Sequence, residues 1–271
     1  LIIGAARMIK KTKYQVICSD LDGTLLNSNK VIDPKDQATI QAWQAAGNFF
    51  GITSGRTLWG VNKALGSGIT PDFIVYLNGA YVQTVQGRLV KRLLANQLSL
   101  AVLTKVEPIT TAKLMVVLGD QTRRIVDTPK QADEITKNQL VGMLQQATPP
   151  LLSKISLVTP SDAVDHQVYQ LVADMPVTVT TSDVHYVEIA AQGVSKLSGL
   201  EIALANTVPL AKVIAVGDYA NDLEIISGVG CGYAVANAVP IIKQAAQKVT
   251  VDHDHQPMTH IVAEITGQLD Q

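Results

Sequence analysis

The sequence predicts an α/β protein: a core of parallel strands alternating with helices, interrupted by an inserted α+β segment. Three observations carry that prediction. First, from Val16 to Leu77, and again from Gly193 onward, short apolar runs alternate with helical stretches, as in a parallel sheet covered on both faces. Second, the texture changes between about Tyr81 and His185, where hairpins, strands and helices mix. Third, Asp20, Thr53, Asn78 and Asp218 each follow an apolar run directly. The carboxyl ends of parallel strands share one edge, where ligands bind in open α/β sheets, so these four residues are expected to converge.

The elements follow in order. Val16-Ile17-Cys18 begins a strand that ends in Asp20-Leu21-Asp22-Gly23-Thr24. Asp33 suits a helix N-cap, Pro34 the first helical position and Gly47 the C′ position. Phe49–Ile52 reads as a strand running into Thr53-Ser54-Gly55-Arg56, and the next helix stops at Gly66. Phe73–Leu77 is a strand leading into Asn78-Gly79. Ala80 to Leu94 alternates and turns at Gln86-Gly87, a hairpin pattern. The inserted segment continues with a helix near Gln97–Val106 and strands near Lys113–Leu118 and Arg123–Val126. A helix over Asp133–Ala147, a strand at Ile155–Val158 and a helix over Ala163–Ala173 are expected next, then strands Val177–Thr181 and Tyr186–Ala190. After Gly193 a helix runs from Lys196 to about Ala205. Val213–Val216 is a buried strand ending in Gly217-Asp218, and Asn221-Asp222 opens another helix. Cys231–Val235 is a strand, Pro240 starts a helix, Val249–Val251 is a short strand and Met258–Leu269 a final helix.

Composition narrows the function classes. The 271 residues are 47% hydrophobic and 17% charged, enough to bury a sizeable core. A net charge of −1 argues against a nucleic-acid surface. No apolar run approaches membrane-spanning length. Two cysteines, Cys18 and Cys231, lie in apolar runs and make no disulfide framework, which suits a reducing, cytoplasmic setting. Residues 1–7 precede Met8-Ile9-Lys10-Lys11, which reads as a natural start, so 1–7 read as a leader added by cloning.

Asp20 and Asp22, spaced i and i+2, fall on one side of an extended chain. Burying two unpaired acids is costly, so packing explains them poorly. A calcium loop is a poor alternative, because Thr24-Leu25-Leu26-Asn27 is apolar where further ligands should stand. A site that holds a cation and attacks an electrophile explains them better. Asp20 can attack phosphorus to form an aspartyl-phosphate. Asp22 can protonate the leaving oxygen and later take a proton from water. Thr53 and nearby backbone N–H groups can hold phosphoryl oxygens. Lys196 supplies positive charge where the transferring group gathers negative charge. Asp218, with Asp222 one helical turn later, can complete an oxygen-rich Mg²⁺ site.

This ordered set resembles the haloacid dehalogenase superfamily of phosphohydrolases. Asp20-Leu21-Asp22-Gly23-Thr24 resembles the first motif and Thr53-Ser54-Gly55-Arg56 the second. Lys196 resembles the third, and Gly217-Asp218-Tyr219-Ala220-Asn221-Asp222 the fourth. The insertion between the second and third is similar to the C2B cap of the Cof-type subfamily. The resemblance implies a Rossmann-like parallel-sheet core over residues 8–80 and 190–271, with an inserted α+β cap domain over 81–189. It also implies Mg²⁺ held by Asp20, the backbone carbonyl of Asp22, and Asp218, with Asp222 nearby. Catalysis is expected from Asp20, Asp22, Thr53 and Lys196, and substrate binding from Ser54, Gly55, Arg56, Asn78, Gly79 and Asn221. The substrate implied is a small phosphorylated metabolite such as a sugar phosphate. A monomer or weak homodimer is expected, with no nucleic-acid or membrane partner.

Three stretches depart from the family pattern. Leu197 follows Lys196 where glycine is usual. Val235-Ala236-Asn237-Ala238 replaces Met-Gly-Asn-Ala. Asp252-His253-Asp254-His255 stands where Asp-Gly-Val is usual, and reads as solvated surface rather than a transition-metal site. A phospho-metabolite sensor with little turnover, and a phosphotransferase or mutase, are the alternatives. Because the motifs handle only the phosphoryl group, the choice among leaving groups is expected to fall to the cap.

Overall fold

The computed structural model describes residues 12–267. The start expected at Met8, and residues 268 and 269 of the expected final helix, lie outside them. In the first part of the core, β1 (Val16–Ser19), β2 (Phe49–Thr53) and β3 (Phe73–Tyr76) alternate with α1 (Pro34–Ala45) and α2 (Leu58–Leu65). Of the expected helix signals, Asp33 and Gly66 act as caps, and Thr57 supplies a further one. Asp33 accepts from Lys35 N–H at the start of α1, Thr57 accepts from Gly60 N–H at the start of α2, and Gly66 ends α2 at φ 58°.

Two short strands, β4 (Tyr81–Gln83) and β5 (Leu89–Lys91), form the expected hairpin. β4 pairs antiparallel with β3 and β5 antiparallel with β4, so the hairpin extends the core sheet. The expected cap boundary at residue 81 is corrected by this pairing: the hairpin is core, and the separate apolar cluster of the insertion begins at Leu94. An outer strand of a sheet keeps a wet face, so its alternating sequence resembles the cap's strands more than the buried β1 and β3.

The insertion holds α3 (Asn96–Val106), β6 (Lys113–Leu118), β7 (Gln121–Ile125), β8 (Glu134–Ile135) and α4 (Lys137–Gln146). It continues through β9 (Leu152–Val158), α5 (Asp162–Leu171), β10 (Val177–Asp183) and β11 (Tyr186–Ala191). Its strands form one sheet in the order β10-β11-β9-β6-β7-β8. The helix expected from Asp133 starts later, because Thr136 and Gln139 make a reciprocal capping box and leave Glu134–Ile135 to pair with β7. Ile155, Leu157, Val187 and Ile189 bury one face of this sheet under its helices.

The chain then returns to the core through α6 (Lys196–Leu204), β12 (Val213–Gly217), α7 (Leu223–Gly228), β13 (Cys231–Ala234), α8 (Pro240–Ala245), β14 (Lys248–Val249) and α9 (Pro257–Ile265). The core sheet runs β14-β13-β12-β1-β2-β3-β4-β5, and all pairings from β14 to β3 are parallel. β12, β1, β2 and β3 are therefore neighbours. Their carboxyl ends carry Asp218, Asp20, Thr53 and Asn78, the convergence expected from the sequence. Among the described residues, no helix is long and apolar enough to cross a membrane.

Candidate active site

The centre of the edge is Lys196. Its ammonium donates to Asp20 Oδ1 at 2.8 Å and to Asp222 Oδ1 at 2.6 Å, and its side chain is inaccessible. Ser195 caps α6 by a reciprocal box with Ser198, which places Lys196 in the first helical turn. A cation there opposes the helix dipole, and burial opposes its charge. Burial alone would lower the Lys196 pKa, but Asp20 and Asp222 hold it well above the ordinary lysine value.

Asp222 is fully committed. Oδ1 takes Lys196, and Oδ2 accepts from the amides of Asp218 at 3.1 Å and Tyr219 at 3.3 Å. The carboxyl group lies so close over Gly217 that a Cβ there would fall 2.4 Å from Asp222 Cγ. Asp222 thus acts as a brace for the turn that presents Asp218. Asp218 is held from the other side by Thr24 Oγ1, which donates to its Oδ1 at 2.9 Å. Gly23 adopts φ 72°, and a Cβ on it would stand 2.4 Å from Asp218 Oδ2. Gly23 is therefore required twice, for its backbone conformation and for the room it leaves. Gly23→Ala is expected to lower kcat by roughly 100-fold through displacement of Asp218. The same change should cost about 1 kcal/mol of stability at the left-handed position. Steady-state kinetics and denaturant midpoints check both.

Asp20, Asp218 and Asp222 each bring a carboxylate oxygen within 4.8 Å of the others, with Lys196 the cation between Asp20 and Asp222. Burial pushes Asp20 up to about 8, helped by Asp222 and Asp218 and opposed by Lys196. Burial, then Asp222, pushes Asp218 up to about 7. The cluster is short of positive charge and offers only hard oxygen donors, the set that fits a divalent cation such as Mg²⁺. Nearby Cys18 offers no ligand: its buried Sγ lies 3.4 Å from the Ile214 carbonyl, and burial raises its thiol pKa.

Asp22 stands at the more open side. Arg56 grips it with a fork of two hydrogen bonds, 2.6 Å to Oδ2 and 2.7 Å to Oδ1, and Lys30 adds a contact at 3.4 Å. Burial would raise its pKa, but Arg56, then Lys30, hold the carboxyl below the usual range. Asp20, Asp22, Ser54, Gly55, Arg56, Asp218 and Asn221 line the core side of one cavity of about 620 Å³. Lys154, Asp183, Tyr186 and Glu188 line its cap side.

Of the residues expected at the site, Thr53, Asn78, Gly79, Lys196 and Asp222 do not line that cavity. Thr53 is buried at the end of β2, and the lining passes instead through Ser54, Gly55 and Arg56. Gly79 packs against α6, where a Cβ would meet the Ser195 carbonyl oxygen at 2.3 Å. Its requirement is close packing of two backbones. Asn78 bridges instead: it donates to Glu188 at 2.6 Å and accepts from Asn221 at 3.1 Å. The backbone fixes it there in a left-handed conformation, with both Leu77 and Asn78 at positive φ.

The stretches that depart from the family pattern make contacts of their own, and nothing in the structure explains Val235 and Ala236. Leu197 packs toward α7, where a Cβ on Gly228 would meet its Cδ2 at 2.6 Å. Asn237 donates to the Gly23 carbonyl at 2.7 Å and accepts from His253 N–H. The His253 ring pairs with the Leu26 carbonyl, and Asp254 accepts twice from Ser28. The Asp252–His255 stretch thus laces the end of the core to the loop after Asp22. Thr24 and Gly217, inside the first and fourth motifs, and Asn237 also act at the site, in roles that the motif stretches do not assign. Their only signal is adjacency to the aspartates or to a strand end.

Comparison with known proteins gives consistent results. The model of the haloacid dehalogenase-like hydrolase family matches residues 17–261. The chain is 26% identical to the 5-amino-6-(5-phospho-D-ribitylamino)uracil phosphatase YitU of Bacillus subtilis, over 94% of this chain and 98% of that one. It is 24% identical to the phosphatase YwpJ of the same organism, over 92% of this chain and 98% of that one. Among solved structures, a haloacid dehalogenase-like hydrolase from B. subtilis superposes with a TM-score of 0.81 at 21% identity, covering 92% of this chain and 98% of that one. The sugar phosphatase BT4131 superposes at 0.76 with 15% identity, covering 94% and 100%.

Proposed function

Because the chain belongs to the haloacid dehalogenase-like hydrolases and is a phosphatase, we propose that it hydrolyses small phosphate monoesters through an aspartyl-phosphate on Asp20. The observation that carries this reading is the state of Asp20. Its Oδ1 is held by Lys196, while no group among the described residues donates a hydrogen bond to Oδ2. One oxygen is positioned and the other is left for attack, at the wall of the cavity.

The steps balance with two acids and a water. Asp20 attacks phosphorus as the bond to the leaving oxygen breaks, and Asp22 donates a proton to that oxygen. Water then attacks phosphorus, Asp22 takes its proton, and the Asp20–phosphorus bond breaks to release phosphate. Asp22 must be protonated for the first step, yet Arg56 favours its anion. Arriving substrate therefore has to draw the Arg56 fork away, toward its own phosphoryl oxygens, before the acid step. Asn221 and the Ser54–Gly55 turn line the same end and orient the phosphoryl group.

Asp20, Asp218 and the Asp22 carbonyl would hold Mg²⁺, and Asp222 would brace Asp218. When bound, Mg²⁺ supplies positive charge that offsets repulsion between Asp20 and the anionic ester. The name of YitU describes a phosphorylated ribityl compound as its substrate, which supports a small organic phosphate here. The test is phosphate release across a panel of metabolite phosphates with Mg²⁺. Release from several sugar or alditol phosphates is the expected result. Binding without release from any of them would overturn the reading.

A further inference from the structure

Three loops of the core meet two buried charges of the cap. Lys154 is on β9 and Glu188 on β11, and the two form an ion pair. They are 4% and 2% exposed. Each also reaches one loop of the core. Lys154 donates at 3.1 Å to the carbonyl of Gly55, in the loop after β2. The second oxygen of Glu188 accepts at 2.6 Å from Nδ2 of Asn78, in the loop after β3. Asn78 in turn accepts at 3.1 Å, through Oδ1, from Nδ2 of Asn221, in the loop after β12. Asn78 is buried, and its backbone N–H donates to the Ser54 carbonyl at 3.0 Å.

This chain of bonds has a direction. A carboxylate only accepts, whereas a side-chain amide donates from its nitrogen and accepts at its oxygen. Glu188 therefore draws Nδ2 of Asn78 to itself, and that turns Oδ1 of Asn78 to Asn221. Asn221 has to answer with its NH2 group. The second N–H of that group has no partner among the described residues, and Asn221 lines the cavity. A phosphoryl oxygen needs a donor, and the same amide turned end for end would set an oxygen where the nitrogen stands. Stability is a poor reason for the ion pair, because the desolvation of two buried charges offsets most of their attraction.

We propose that Glu188 is a positioning residue: acting through Asn78, it fixes which end of the Asn221 amide meets the phosphoryl group of the substrate. This rests on the phosphatase reading above. Lys154 serves the same relay by holding Glu188 against the Gly55 loop. In this role Glu188 touches no reacting atom. The phosphoryl group is common to every ester, so loss of the relay slows all of them by one factor, whatever their leaving group.

Glu188→Gln reverses the relay with little change of shape. An ammonium only donates, so Lys154 claims the oxygen of the new amide. Its NH2 group then turns to Asn78, and both asparagines have to flip. The test measures kcat and KM for p-nitrophenyl phosphate and glycerol phosphate on the parent, Glu188→Gln, Asn221→Ala and the combination. Glu188→Gln should lower kcat/KM for both esters by the same factor, roughly tenfold or more. In the Asn221→Ala background it should cost about twofold or less, because the relay there has nothing left to orient. Lys154→Met combined with Glu188→Leu removes both charges and guards against a variant that does not fold. It should melt cooperatively and show the same dependence on Asn221. A loss as large without Asn221 as with it would make the pair a structural support and overturn the inference. Parent-like rates in Glu188→Gln, or a loss confined to one ester, would overturn it too and leave the phosphatase reading intact. A parent that releases phosphate from neither ester would instead overturn the phosphatase reading, and this inference with it.

Discussion

Asp20→Asn is expected to lower turnover by roughly 10³-fold or more, with the fold intact. The substitution keeps the shape and leaves a neutral acceptor for Lys196 at 2.8 Å. It removes the attacking oxygen. At the rate equivalence of about 1.4 kcal/mol per factor of ten, the loss corresponds to about 4 kcal/mol or more of transition-state stabilisation. Folding should not suffer by a comparable amount. Asp20 is buried among other acids and its pKa is raised to about 8, so its charge is costly to the folded chain. A thermal midpoint equal to or above the parent's is expected with the activity loss. Near-parent turnover in the pure variant would remove the covalent step. Loss of fold along with activity would leave the two effects entangled, and Asp20→Glu then separates them: it keeps the charge and misplaces the oxygen.

Chelation is expected to abolish turnover, and Mg²⁺ to restore it. The pH dependence of that recovery follows from the acids. Asp20 and Asp218 have pKa values raised to about 8 and about 7 without a cation. Near neutrality they therefore hold protons that Mg²⁺ must displace. Affinity for Mg²⁺ should rise as pH goes from 6 toward 8 and weaken as pH falls. Calorimetry in two buffers of different ionisation heat measures the protons released. Full activity in excess EDTA after dialysis would take the cation out of the mechanism. Asp218→Asn should raise the Mg²⁺ requirement more than Thr24→Val, because Thr24 acts on Asp218 only through one hydrogen bond.

The two predictions concern residues legible in sequence for different reasons. Asp20 and Asp218 were legible because each ends an apolar run, and a parallel sheet brings such ends to one edge. Lys196 was legible only as a member of the ordered set, since a lysine at a helix start is usually solvated. Its burial under two carboxylates came from packing. Thr53 and Gly79 follow the same strand-end logic as Asp20 but do not reach the cavity. The direction of a side chain at a strand end depends on the next turn's backbone angles, which the apolar run does not specify. Asp22 was legible as an acid, while its capture by Arg56 depends on how the loop after β2 folds beside the loop after β1.

By itself the sequence determined the alternation of buried strands and helices, the place of the insertion and the edge where the acids meet. These follow from local hydrophobic patterning and from chain direction, which are written residue by residue. Tertiary structure alone decided that the hairpin after β3 belongs to the core and that Asp222 braces rather than faces the cavity. It also decided that Lys154 and Glu188 pair on the cavity wall. The Lys154–Glu188 pair joins residues 34 positions apart and the Asn78–Glu188 bond residues 110 apart, while the hairpin meets β3 and Asp222 meets Asp218 and Tyr219 over short separations that only the turning of the backbone sets. Strand order, register and side-chain direction set them, and no local pattern records any of the three.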